Sequence, residues 1–206
     1  MCGIVGYVGP RECTDVLIDA LSKLEYRGYD SAGIAVFDGG EIKVAKSKGR
    51  LKDLVDKMNN TEKPGGHAGI GHTRWATHGE PSDVNSHPHS GKRVTIVHNG
   101  IIENYKALKD FLIASGREFQ SETDTEVVAQ LLDYYYEGNP LDTIIKTMNE
   151  LEGSFALGIV FSDFKDTVYA VRRESPLIVG VGEGESFIAS DVPAILKYTK
   201  DYYLLE

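Results

Sequence analysis

The sequence predicts an α+β protein with antiparallel sheets, and three observations carry that prediction. Short strand-like runs open and close the chain, and most of the helix-like periodicity is gathered in a central block. The closing strands are joined by turns too short for a parallel crossover.

Taken in order, Ile4-Val5-Gly6-Tyr7-Val8 is an apolar run stopped by Gly9-Pro10. Leu17, Ala20, Leu21 and Leu24 then keep helical spacing, with Pro10 placed to start that helix. SAGIAVF (31–37) and EIKVAKS (41–47) flank Asp38-Gly39-Gly40, a β-hairpin signature. LKDLVDKM (51–58) reads as a short helix and TEKPGG (61–66) as a loop. A strand follows at 68–72, then a polar loop through His89 and a strand at 94–98. Helices are expected over 105–114, 126–136 and 141–151, with Thr123 and Glu126 at capping-box spacing before the second. SFALGIVFSD, TVYAVRR, PLIVGVG and SFIAS return to strands, and SDVPAILKYT begins one more short helix. The chain stops soon afterwards at Glu206, as one domain of a longer protein would.

The 206 residues, 41% hydrophobic and 26% charged, suit one large domain or at most two small ones. A net charge of −9 with no lysine- or arginine-rich run argues against a nucleic-acid partner. No apolar stretch reaches the roughly 20 residues that span a bilayer, and no signal peptide is visible, so a membrane role is not expected. Cys2 and Cys13 are the only cysteines, too few for a secreted disulfide framework, and the chain reads as cytosolic with reduced thiols.

Cys2 is either a small buried strand-end residue or a nucleophile. Once Met1 is removed, thiol and free α-amine share one carbon. A thiol near pKa ~8.5 needs a base close to working pH, and an α-amine at about 7.7–8.0 supplies one without a histidine. Of the six histidines (67, 72, 78, 87, 89 and 98), the HPH at 87–89 lacks any companion motif and is read as loop residues bonding backbone groups, so no metal is expected. Asn99-Gly100 is a strong hairpin signal, and its amide NH₂ and backbone N–H are equally suited to an oxyanion hole. HTRWATHG (72–79) is a surface loop with an anchored tryptophan, or a site in which Arg74 clamps a carboxylate. Asp124 is a helix-dipole residue or a partner for a cation. GVGEG (180–184) lacks a phosphate loop's ending and is read as a hairpin turn.

Cys2-Gly3-Ile4-Val5-Gly6, LEYRGYDSAGIAV, GHTRWATHGEPS, VHNGIIENY and SETDTEV, in that order, resemble the glutaminase domain of the glutamine–fructose-6-phosphate aminotransferase family. The likeness runs through SFIASDVPAIL and so covers nearly the whole chain. It implies the N-terminal-nucleophile hydrolase fold, a four-layer αββα sandwich with two antiparallel sheets, over one class II amidotransferase domain at 2–206. It implies that Cys2 attacks the side-chain amide of glutamine, with its own amine moving the proton. Asn99 and Gly100 would hold the oxyanion, and Arg27 would position the N-terminus. Arg74 would bind the substrate α-carboxylate and Asp124 its α-ammonium, with Thr77 and His78 completing the pocket and Trp75 gating the ammonia route. No cofactor is implied. The partner is a sugar-phosphate synthase domain lying outside this chain; a homo-oligomer stays open. Two departures stand out: Met1 still precedes Cys2, and the sugar-isomerase-like half is missing. The alternatives are the glutaminase domain of an amidophosphoribosyltransferase or asparagine synthetase, and a non-catalytic module with this fold.

Overall fold

A computed structural model describes residues 2–205. In chain order its strands are β1 (Gly3–Val8), β2 (Ser31–Asp38), β3 (Glu41–Lys48), β4 (Ala68–Arg74), β5 (His89–Ser90) and β6 (Val94–Ile102). They continue with β7 (Gly153–Phe161), β8 (Tyr169–Arg173), β9 (Ile178–Val181), β10 (Ser186–Ala189) and β11 (Tyr202–Leu204). The helices are α1 (Cys13–Ser22), α2 (Leu51–Asn60), α3 (Tyr105–Ala114), α4 (Asp124–Tyr135) and α5 (Pro140–Glu150).

Two sheets form, a seven-stranded one ordered β11-β9-β10-β1-β4-β2-β3 and a four-stranded one ordered β5-β6-β7-β8. The strand pairs in both are antiparallel. Three apolar layers hold the stack. Leu17 and Leu21 of α1 and Leu54 of α2 pack on Val5, Ile34 and Val36 of the large sheet. Ile4, Ile70 and Ile188 meet Val97, Ala156 and Val160 between the sheets. Ile96, Phe155 and Phe161 of the small sheet bury Leu112 of α3 and Leu131 of α4. The result is a helix–sheet–sheet–helix sandwich, which explains the unbroken apolar run in β1. Successive side chains point to opposite faces, and both faces of this strand are covered: Ile4 faces the other sheet, Val5 the helices.

Local turn chemistry is read correctly at Gly39-Gly40. Asp38 pairs with Glu41, so the loop has two residues, and φ of 61° and 98° at the glycines is the turn that matches strand twist. Asn99-Gly100, the stronger hairpin signal, makes no turn. β6 runs straight through it, with Asn99 opposite Ala156 and Gly100 opposite Phe155. The glycine is needed for another reason: its φ is 118°, and a Cβ would stand 2.0 Å from the Ser154 carbonyl oxygen.

Other boundaries also differ from expectation. Pro10 does not start α1, which begins at Cys13; the intervening turn is fixed by Arg11 N–H donating to the Tyr7 hydroxyl at 3.0 Å. The capping box before α4 is half formed. Thr123 accepts from Glu126 N–H, but the Glu126 carboxylate turns to the backbone N–H groups of Gln120 and Ser121. The final helix is only a 3₁₀ turn at Val192–Ala194, and β11, which periodicity missed, lies beyond it. Among the described residues no helix is long and apolar enough to cross a membrane, and both cysteines are free.

A candidate active site around Cys2

All nine residues singled out in the sequence border one cavity of about 300 Å³. The topology brings them there from separate elements. Cys2 heads β1, next to β4 on one side, and Arg74 is the last residue of β4. Asn99 and Gly100 come from β6 of the other sheet, and Asp124 opens α4. The loop after β4 carries Trp75, Thr77 and His78, and the turn before β2 carries Arg27.

Cys2 is held by its backbone and cradled at its sulfur. Its carbonyl accepts from Arg27 Nε at 3.2 Å and from Asn99 Nδ2 at 3.0 Å. Arg27 is fixed in turn by Asp191, 3.0 Å from Nη1, whose carboxylate also accepts from the Tyr26 hydroxyl. Trp75 N–H donates to Cys2 Sγ at 3.2 Å. Burial pushes the thiol above its ordinary value, opposed by that bond. A thiol raised in this way needs a base to become a nucleophile.

Arg74 is buried, 3% exposed, and its Nη2 donates to the carbonyls of His78 and Gly79, the latter at 3.0 Å. Its Nη1 is buried without a hydrogen-bond partner. A desolvated guanidinium nitrogen lacking an acceptor is costly, and a carboxylate in the cavity would satisfy it. Asp124, 4% exposed, accepts from Ile102 N–H at 2.9 Å, so the carboxylate is fixed by β6 as well as by its place in the first turn of α4. The cavity thus offers a cation and an anion beside a thiol. Trp75 is half exposed at the rim, edge-on to Tyr29 with ring centroids 5.5 Å apart.

The histidines are placed differently from expectation. His87 and His89, expected as loop residues, join the strand residues His72 and His98 in a buried cluster, with His87 stacked on His72 at 4.0 Å and edge-on to His89 at 5.1 Å. Their partners are largely side chains: Thr125 Oγ1 lies 2.9 Å from His98 Nδ1 and 3.1 Å from His87 Nε2, and Thr123 Oγ1 lies 3.1 Å from His89 Nε2. Burial lowers the pKa of all four, His72 to about 3, so the rings are neutral. Among the described residues, no group of three or more His, Cys, Asp or Glu side chains could hold a metal ion.

His87, His98, Thr125, Ser175 and Pro176 also border the cavity and were not anticipated. For His98 a signal existed, since it stands directly before Asn99 in a strand with alternating burial partners. Ser175 and Pro176 arrive from the crossing between sheets, which no local pattern announces. A larger cleft of about 910 Å³ lies elsewhere, between β3, α2 and the start of α4, and contains none of the nine residues. One of its lysines is already engaged, with Lys46 Nζ donating to the carbonyls of Ser86 and Pro88 at 3.0 and 3.2 Å.

Known proteins with similar sequences and structures can be set beside this geometry. The family described as "Glutamine amidotransferase domain" matches residues 72–197. A Clostridium acetobutylicum protein named glutamine–fructose-6-phosphate aminotransferase [isomerizing] is 59% identical over all of this chain, which spans 34% of that protein. The protein of the same name from Pyrococcus horikoshii is 49% identical, again over the whole chain and 35% of its own length. The chain therefore spans about a third of the length of the relatives it matches. In structure it resembles glutamine phosphoribosylpyrophosphate amidotransferase from B. subtilis, complexed with ADP and GMP: the TM-score is 0.84 at 28% identity, over 100% of this chain and 45% of the other. With a family match over more than half its residues, a whole-chain likeness to such relatives and the sandwich fold they share, this chain belongs to the glutamine amidotransferase domain family.

Proposed function

We propose that this chain, as a single domain over residues 2–206, hydrolyses glutamine to glutamate and ammonia. The observation that carries the reading is the unpartnered Nη1 of buried Arg74 in the same cavity as Asp124 and Cys2. A zwitterionic amino acid satisfies both charges, carboxylate on Arg74 and ammonium on Asp124, and its side-chain amide then extends toward sulfur.

The steps follow from these groups. With Met1 removed, the α-amine of Cys2 takes the thiol proton as Sγ attacks the amide carbon of glutamine. The carbonyl electrons move onto oxygen, which one N–H of the Asn99 amide and the Gly100 N–H stabilise; the amide has two such hydrogens, and Cys2's own carbonyl uses one. Collapse of that intermediate expels ammonia, protonated by the Cys2 ammonium, and leaves a thioester. Water, deprotonated by the same amine, attacks the thioester carbon; the C–S bond breaks, glutamate leaves and the Cys2 ammonium returns its proton to the sulfur. Arg27 tethers Cys2 during both halves.

In a longer protein the ammonia would pass to an acceptor domain, and the names of the relatives point to fructose 6-phosphate as acceptor. Identity of 59% and 49% to those proteins against 28% to the phosphoribosylpyrophosphate enzyme favours that branch. Thr77 and His78 complete the pocket wall, and Trp75 at the rim would gate the route outward.

The test is stoichiometry: the Met1-free chain should release glutamate and ammonia in equal amounts, and fructose 6-phosphate should neither speed the reaction nor be aminated. Trp75→Ala should change this hydrolysis little, because a gate acts only with an acceptor beyond it. Hexosamine phosphate made by the chain unaided would contradict the domain reading. Arg74→Ala should raise KM for glutamine about 10- to 100-fold, as for loss of a charged hydrogen bond. It should also erase discrimination against amides lacking an α-carboxylate, measured by comparing kcat/KM for the two substrates.

A further inference from the structure

His72 has no part in the reaction as written, yet it touches the side chain that donates to the oxyanion. Its Nε2 lies 2.9 Å from the carbonyl oxygen of His98 and 3.1 Å from Asn99 Oδ1. A backbone carbonyl only accepts, so Nε2 carries the hydrogen and Nδ1 is bare. The neighbouring contact fixes the amide in the same way. The Cys2 carbonyl, 3.0 Å from Asn99 Nδ2, also only accepts, so the NH₂ faces Cys2 and the oxygen faces His72. Flipping the amide would set NH₂ against N–H at His72 and oxygen against oxygen at Cys2. Each half of this arrangement therefore enforces the other.

The ring is itself immobilised. It is fully buried, stacks on His87 at 4.0 Å, and its Nδ1 has no partner. A second ring hydrogen would be an unpaired donor in a dry site, so the neutral Nε2–H form is the one the surroundings accept. His87 is anchored through Thr125 Oγ1 at 3.1 Å.

We propose that His72 is the positioning residue of the oxyanion donor, a neutral imidazole whose Nε2–H holds the Asn99 amide with its NH₂ toward Cys2. The proposal rests on the glutaminase reading for its consequence in turnover, but the holding of the amide stands on geometry alone. It differs from a packing role in what it demands of a replacement. A glutamine at 72 offers an N–H to the same two oxygens, whereas a phenylalanine preserves the stack on His87 and offers none.

The experiment compares the Met1-free protein with its His72→Phe and His72→Gln variants by steady-state glutaminase kinetics and by ¹⁵N NMR of ring and amide nitrogens. The wild type should show a protonated Nε2, a bare Nδ1 and a slowly exchanging Asn99 NH₂. His72→Phe should lower kcat about 10- to 100-fold, short of the 10²–10³ for losing an oxyanion donor outright, with KM within about twofold. The Asn99 NH₂ should then exchange faster, and His72→Gln should recover most of both losses. Unchanged kcat in His72→Phe, a loss confined to KM, or equal damage in both variants would overturn the proposal. An inactive wild type with a protected Asn99 amide would bring down the glutaminase reading and support the amide-holding role; an exposed amide in the wild type would overturn that role.

Discussion

Cys2→Ala is expected to abolish glutamine hydrolysis, a loss on the order of 10⁶ in kcat as for removal of an essential nucleophile, with the fold intact. The fold argument is local. The sulfur's hydrogen bonds are with the backbone of Trp75, and the two contacts that tether the residue use the Cys2 carbonyl, which alanine retains. Cys2 is half-buried at a strand end rather than in any of the three apolar layers. The stability cost should be about 1 kcal/mol or less, checked by thermal melts of variant and parent beside the activity assay. Residual turnover well above background would move the nucleophile elsewhere.

Asn99→Ala should lower kcat by about 10²–10³ with little change in KM, the pattern of a donor used only when negative charge develops on the substrate oxygen. The variant keeps Arg27 on the Cys2 carbonyl, so the N-terminal residue stays tethered. His72 likewise keeps the His98 carbonyl as partner and is not orphaned. The contrary result, a raised KM at constant kcat, would make Asn99 a binding residue. Steady-state kinetics over a wide glutamine range separates the two.

Asn99 also shows where sequence reasoning reaches its limit. The Asn-Gly pair satisfies a tight turn and a positive-φ glycine inside a strand equally well, and only pairing with Phe155 and Ala156 of distant β7 decides between them. Gly39-Gly40 was legible because both strands of its hairpin are adjacent in sequence. Strand order was not legible: β1 lies between β10 and β4, and the chain changes sheets between β8 and β9, pairings fixed by packing over long separations. The site followed the same division. Cys2 and its amine could be argued from chemistry alone, and motif order supplied Arg74 and Asp124 through the family resemblance. The histidine cluster could not be placed, because nothing local in the HPH run shows that His87 meets His72, His89 and His98.

The central claim is that Cys2, once it is the first residue, is the nucleophile. The direct measurement is peptide mapping of the Met1-free protein after incubation with the electrophilic glutamine analogue 6-diazo-5-oxo-norleucine, with intact mass confirming the N-terminus. Cys13 is the internal control: it is fully buried, and burial pushes its thiol far up. The account predicts one adduct per chain, on Cys2, formed in step with loss of activity and blocked by glutamine. An adduct on Cys13 with Cys2 unmodified, or inactivation with neither cysteine labelled, would contradict it.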